Sequence, residues 1–94
     1  MRYRSRTEII GEILKVVNGS DGATKTKIMY KAFLNCDQMK DYLTVLTGDD
    51  LLSYDGQTHT FKTTERGLQF LDKYNRIESM MKEEQPTSRQ QMWI

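Results

Sequence analysis

Cysteine occurs once in the 94 residues, as Cys36. That scarcity excludes an internal disulfide framework and any multi-cysteine zinc site. His59 is the only histidine, so no structural metal is expected. Proline also occurs once, at Pro86, where it stops the last helical pattern. No run approaches the ~18 apolar residues that a membrane span requires. The opening Met-Arg-Tyr-Arg-Ser-Arg lacks the apolar stretch of a signal peptide, and a cytoplasmic location is the expectation. The parts of a catalytic site are missing too. Gly19 and Gly22 flank a polar turn that follows no strand, unlike a phosphate-cradling loop. No histidine neighbours Cys36 in sequence, and a small buried side chain is the expectation there, although a helix start can lower a thiol pKa. The chain is therefore read as no enzyme, with no cofactor, no metal and no small-molecule substrate.

What is present fits one small globular domain with a modest core. Apolar residues make up 37% and charged residues 29%, which gives a polar surface over a limited interior. The net charge of +1 conceals an uneven distribution. Residues 1–33 carry seven basic side chains (Arg2, Arg4, Arg6, Lys15, Lys25, Lys27, Lys31) against Glu8, Glu12 and Asp21. Residues 34–55 carry Lys40 against Asp37, Asp41, Asp49, Asp50 and Asp55. Any attraction to phosphate must come mainly from the first third.

A basic arm opens the chain, of the kind that can neutralise phosphates or enter a minor groove. The other reading of it is a frayed terminus kept soluble by charge. Ile9, Ile10, Ile13, Leu14, Val16 and Val17 then recur at helical spacing and predict a first helix with a wide buried stripe, capped by Ser5 or Thr7. Residues 18–22 (Asn-Gly-Ser-Asp-Gly) stop it with five turn-formers. A second helix is predicted over about 24–33, with Ile28, Met29, Ala32 and Phe33 inward and Lys27 and Lys31 outward.

A third helix is predicted over 35–47. Asn35 and Gln38 form a capping-box start, and Met39, Tyr42, Leu43 and Leu46 make the apolar face. Asp37, Lys40, Asp41, Thr44 and Thr47 lie opposite. That is also the pattern of an ordinary amphipathic core helix with a solvated back. Two short helices meeting across the tight break at Leu34-Asn35 suit a helix-turn-helix, without the usual turn glycine. The period then changes to strands at 51–54 and 58–63, joined at Asp55-Gly56, which predicts a type I′ hairpin turn with Phe61 as anchor. Three helices followed by a hairpin is the winged-helix order. The predicted class is α+β, mostly α, with a long last helix.

That helix begins at Thr64 and is expected to run over 64–84. Leu68, Phe70 and Leu71 close the core, and Phe70, Tyr74, Ile77 and Met81 continue at the spacing of a coiled-coil seam. The organisation read from the chain is a domain with a basic arm over 1–63, a dimerisation helix over 64–84 and a flexible tail over 85–94. The tail ends in Met92-Trp93-Ile94.

With Thr-Lys-Ile-Met-Tyr-Lys-Ala at 26–32, Tyr-Leu-x-x-Leu at 42–46 and Thr-Glu-Arg-Gly-Leu-Gln-Phe-Leu at 64–71 in place, the chain resembles the small archaeal winged-helix DNA-binding proteins over roughly 5–82. In these a C-terminal helix forms an antiparallel coiled-coil dimer, as in the chromatin-associated members. The resemblance implies that Gln38, Lys40, Asp41 and Thr44 face a DNA groove, and that Tyr74, Ile77 and Met81 lie in a dimer seam. Asp49-Asp50 stands where the family usually has Lys-Gly, so Asp50 is expected to take the left-handed backbone that glycine supplies. The functional expectation is a homodimer that binds double-stranded DNA, acts in transcriptional regulation or chromosome organisation, and is nucleoid-associated. Arg2, Arg4, Arg6, Lys25, Lys27 and Lys31 would hold phosphates. Gln38, Lys40, Asp41 and Thr44 would face base edges, with Gln57 and His59 in the wing. The alternative, motivated by the acidic third helix, is a winged-helix protein-interaction module without DNA readout.

Overall fold

A computed structural model describes residues 4–86, with side chains through Met80. Arg2, Met81 as a side chain, and the closing Met92-Trp93-Ile94 lie outside that description.

Helix α1 (Arg6–Asn18) starts on a capping box. The Ser5 hydroxyl accepts the Glu8 N–H while the Glu8 carboxylate accepts the Ser5 N–H, at 3.1 and 2.8 Å. Ile13, Leu14 and Val17 on its inner face have almost no exposure. The turn that follows holds Asp21 and Gly22 at positive φ and leads to Ala23, which bridges to the later hairpin. Helix α2 (Lys25–Lys31) is capped by Thr24, whose hydroxyl accepts the Lys27 N–H. It is shorter than its pattern predicts, because Ala32 ends it and Phe33 turns left-handed at φ 56°. Phe33, expected inward, is 80% exposed. The reversal of φ turns its side chain off the helical face, and Leu34 is the residue that returns to the core.

Helix α3 (Cys36–Gly48) carries the predicted Asn35–Gln38 capping box, with bonds of 3.1 and 2.8 Å. Met39, Tyr42, Leu43 and Leu46 are buried as expected. Cys36 is exposed, contrary to expectation, because the first helical position points away from that inner face. Asp50 takes φ 62°, as the resemblance implied, and Leu51 N–H reaches back to Leu46 O at 2.8 Å to close the helix end.

Strands β1 (Leu52–Asp55) and β2 (Thr60–Thr63) pair antiparallel, with Tyr54 opposite Phe61. The connection is a four-residue loop, 56–59, and not the predicted two-residue type I′ turn. His59 takes the left-handed position and Gly56 does not. The Asp55 carboxylate accepts the Gln57 N–H at 2.9 Å, which builds a local turn in place of the tighter one. Ala23 exchanges both backbone hydrogen bonds with Phe61, at 3.0 and 2.8 Å, and ties the α1–α2 connection onto β2.

Helix α4 (Glu65–Pro86) is capped by Thr64, whose hydroxyl accepts the Gly67 N–H at 3.0 Å. Its first half packs on α1 and the hairpin. Leu71 and Tyr74 are buried and Phe70 is half-buried against the core. The core therefore lies among α1, the inner faces of α2 and α3, Phe61 and the start of α4.

Candidate nucleic-acid interface

Because α3 buries only its Met39–Leu46 face, its outer face is left to solvent. Asp37, Gln38, Lys40, Asp41 and Thr44 are all exposed. Between α3 and the hairpin lies an open groove of about 720 Å³, rimmed by Lys25, Lys40, Thr44, Thr47, Ser53 and Tyr54 over an apolar floor that includes Leu43 and Phe61. The hairpin forms the second wall because Ala23 and Phe61 fix it to the domain. Tyr54 packs against Phe61 with ring centres 4.8 Å apart and the rings tilted by 48°, and its hydroxyl meets His59 Nδ1 at 3.1 Å. His59 and Gln57 thus stand on the exposed loop at the hairpin tip. The Gln57 N–H, bonded to the Asp55 carboxylate, is the chief cause that lowers the Asp55 pKa. The wing tip accordingly keeps a negative charge beside its two polar side chains.

The hydroxyls on α3 turn partly inward. Thr44 Oγ1 donates to Lys40 O at 2.9 Å, and Thr47 Oγ1 to Leu43 O at 2.8 Å. Gln38 is similarly occupied, since its Oε1 accepts the Asn35 N–H at 3.1 Å. A bidentate pairing with adenine needs both the amide oxygen and the amide nitrogen. In this arrangement only the nitrogen of Gln38 is unengaged by the cap.

The basic residues separate into two groups. Lys25, Lys27 and Lys31 are exposed along α2, and Lys25 reaches the groove. Arg6 lies with its guanidinium carbon 5.3 Å from the Tyr42 ring centre, beside α3. Arg4 is placed otherwise. Its guanidinium donates to Ala32 O at 2.7 Å and Phe33 O at 3.0 Å and pairs with Glu12. It clamps the turn of the helix-turn-helix to α1, and so is held within the domain. Sequence reasoning placed Thr47 on the outer face of α3 but missed Ser53 and Tyr54 as groove residues. Alternation along β1 marks the side chains that leave the core, but not which wall they face.

The expected seam residues also divide. Tyr74 is buried to 9% exposure and covers Gly11 of α1, where an added Cβ would lie 2.6 Å from its ring. Burial pushes the Tyr74 phenol above its ordinary pKa, and the carboxylates of Glu78, Glu8 and Glu12 add to the effect. Lys15 sits 5.4 Å from the centre of that ring and pairs with Glu78 at 3.0 Å. Ile77, just before Glu78, and Met80, just after it, are 55% and 62% exposed. Phe70 and Tyr74 thus pack against the chain's own core, and of the expected seam residues with a described side chain Ile77 is left exposed.

Two helices joined by a tight turn, the second with an open outer face, and a hairpin forming a wall beside it define a winged-helix module. The chain belongs to the winged helix-turn-helix family, whose pattern it matches over residues 3–82. That membership suggests DNA binding, and the family is typically a non-enzymatic DNA-binding domain. None of the curated proteins matches the chain. Among the described residues no helix is long and apolar enough to cross a membrane, and no cluster of His, Cys, Asp and Glu could hold a metal ion.

Proposed function

We propose that this protein is a homodimeric winged-helix protein that binds double-stranded DNA, in transcriptional regulation or chromosome organisation, and works in the cytoplasm on the nucleoid. The observation that carries the reading is the open outer face of α3 beside a groove with Lys25 and Lys40 on its rim. An α-helix fits the major groove of B-form DNA, and cations on the flanks neutralise phosphates. Lys25, Lys27, Lys31 and Arg6 supply those charges, with Lys40 on α3 itself. The Gln38 amide nitrogen and the Asp41 carboxylate are left to meet base edges. Gln57 and His59 sit at the wing, where a neighbouring backbone would pass.

A second reading has its own support. Asp37 and Asp41 occupy the outer face of α3, and Asp49 and Asp50 follow at its end. These carboxylates repel phosphate and would suit a basic protein surface. One experiment separates the two readings: a duplex-binding titration across salt concentrations, on the wild type and on Asp37→Lys/Asp41→Lys. DNA binding predicts a log–log salt slope of about −0.9 per phosphate contact, so about −4 to −5 for five cations. It also predicts tighter binding by the charge-reversed variant. A salt-independent affinity, or no binding by either protein at about 50 mM salt, removes the proposal in favour of the protein-interaction reading.

A further inference from the structure

We infer that the outward face of α2 and the turn after it is a second nucleic-acid contact, a platform on which unpaired bases of a single strand stack. Tyr30 and Phe33 stand there 70% and 80% exposed. They are three residues apart across one turn, in which the Phe33 N–H reaches Tyr30 O at 3.3 Å. Lys27 and Lys31 flank them, both exposed, and the α2 sequence Lys-Thr-Lys-Ile-Met-Tyr-Lys holds no acidic residue. Among the described residues neither of these two lysines is held by an ion pair.

Phe33 is the informative residue. Its ring is an apolar surface left in water, and its backbone sits at φ 56°, a region unfavourable to side chains that carry a Cβ. Glycine would make the same turn without either penalty. The conformation is also imposed from outside the turn. Arg4 holds the carbonyls of both Ala32 and Phe33 while paired to Glu12 on α1. The ring is thereby presented on a fixed backbone, which lowers the entropy lost when something stacks on it.

Flat rings beside ammonium groups on a helix without acidic residues are complementary to a base joined to a phosphate. Every base offers a π-face, and stacking is therefore tolerant of sequence. A duplex hides those faces in its own stack, so the occupant is a single strand. An acidic protein surface would suit the lysines but leaves the two rings unexplained. Neither Tyr30 nor Phe33 lines the α3 groove, so the rings stand apart from the duplex reading, whereas Lys27 and Lys31 would meet phosphates in either complex.

The test is fluorescence anisotropy with the full chain and labelled oligo(dT), oligo(rU) and a mixed-sequence duplex, each of about 20 nucleotides. The variants are Y30A/F33G and K27Q/K31Q. Glycine suits the left-handed position and alanine favours the helix, so Y30A/F33G keeps the fold, with its melting temperature as the check. Loss of both rings should weaken binding to the single strand by at least roughly 30-fold and leave the duplex affinity within about twofold. K27Q/K31Q should reduce the single-strand salt slope by about 1.4. The oligo(dT) and oligo(rU) arms show which sugar the platform prefers, and binding in either supports it. Equal single-strand affinity of Y30A/F33G and wild type overturns the inference, as does no saturable binding of either strand at about 50 mM salt. A drop in sedimentation mass for Y30A/F33G with unchanged strand affinity overturns it as well, and assigns the face to a second copy. A chain that binds oligo(dT) but no duplex retains this inference while losing the duplex proposal.

Discussion

Among the described residues, four other than glycine hold positive φ: Asp21, Phe33, Asp50 and His59. Aspartate tolerates that region comparatively well because its short polar side chain can hydrogen-bond locally. Phenylalanine does not, which sets Phe33 apart. Gly67 has the opposite constraint, one of space and not of dihedral. A Cβ there would lie 2.2 Å from Leu51 O and 2.7 Å from the Thr63 methyl carbon. The first is a backbone atom in the α3–β1 connection, directly before β1, and cannot move without shifting the entry to that strand. Gly67→Ala is therefore expected to destabilise the domain by ~3 kcal/mol, near the upper end for overpacking. In thermal denaturation that is a fall of well over 10 °C for a domain of this size. A melting temperature within about 3 °C of wild type would refute the contact. The glycine of the Thr-Glu-Arg-Gly start was legible as part of a motif. The oxygen it avoids was not, because Leu51 is distant in sequence and reaches it only through the α3–β1 connection.

At the scale of elements, the helix starts were the most legible features. Ser5 with Glu8 and Asn35 with Gln38 form the boxes their spacing predicts, since capping depends on neighbours within one turn. The ends were less legible. Whether α2 continues past Lys31 depends on Arg4 reaching from the chain's start to the carbonyls of Ala32 and Phe33. No local pattern reports that contact. The α1–α4 junction is similar. Tyr74 fits the spacing of an external seam and of an internal core equally well, and Gly11, by leaving room for its ring, makes the second outcome possible. The junction also carries a pH dependence. The folded-state pKa of Tyr74 lies above the ordinary value near 10.0. Above about pH 10 the unfolded chain releases this proton while the folded chain retains it, so stability is full below that pH and falls as pH rises through the window. Denaturant midpoints between about pH 8 and 11 should decline more steeply for wild type than for Tyr74→Phe. Parallel declines would show that the phenol contributes nothing to the alkaline loss.

For the whole molecule, α4 is the element that exceeds the needs of its own domain. Its 22 residues span ~33 Å at the rise of an α-helix, and the longest dimension is 57 Å against 29 and 20 Å for the other two. Its contacts with α1 run to the Lys15–Glu78 pair, beyond which the apolar Met80 is exposed, as is Ile77 just before it. On the homodimer proposed above, Ile77→Glu should convert the dimer to a monomer in light scattering without lowering the melting temperature of the domain, because Ile77 is 55% exposed and outside the core. A mass unchanged by the substitution would place the dimer contact elsewhere or remove it.

The sequence alone was sufficient for the order of elements, the winged-helix class and the inner faces of α1 and α3, though not for Phe33 and Leu68, which were expected inward and are exposed. These are written in spacings of three and four, in alternation and in caps, all of them set by neighbours along the chain. Tertiary structure decided which exposed residues share a surface. It set the Arg4 guanidinium on the carbonyls of the turn, the Tyr74 ring over Gly11 in the core, and Phe33 in solvent instead of the interior. Each of those outcomes rests on a contact between residues far apart in the chain, and such contacts arise only once the helices have packed.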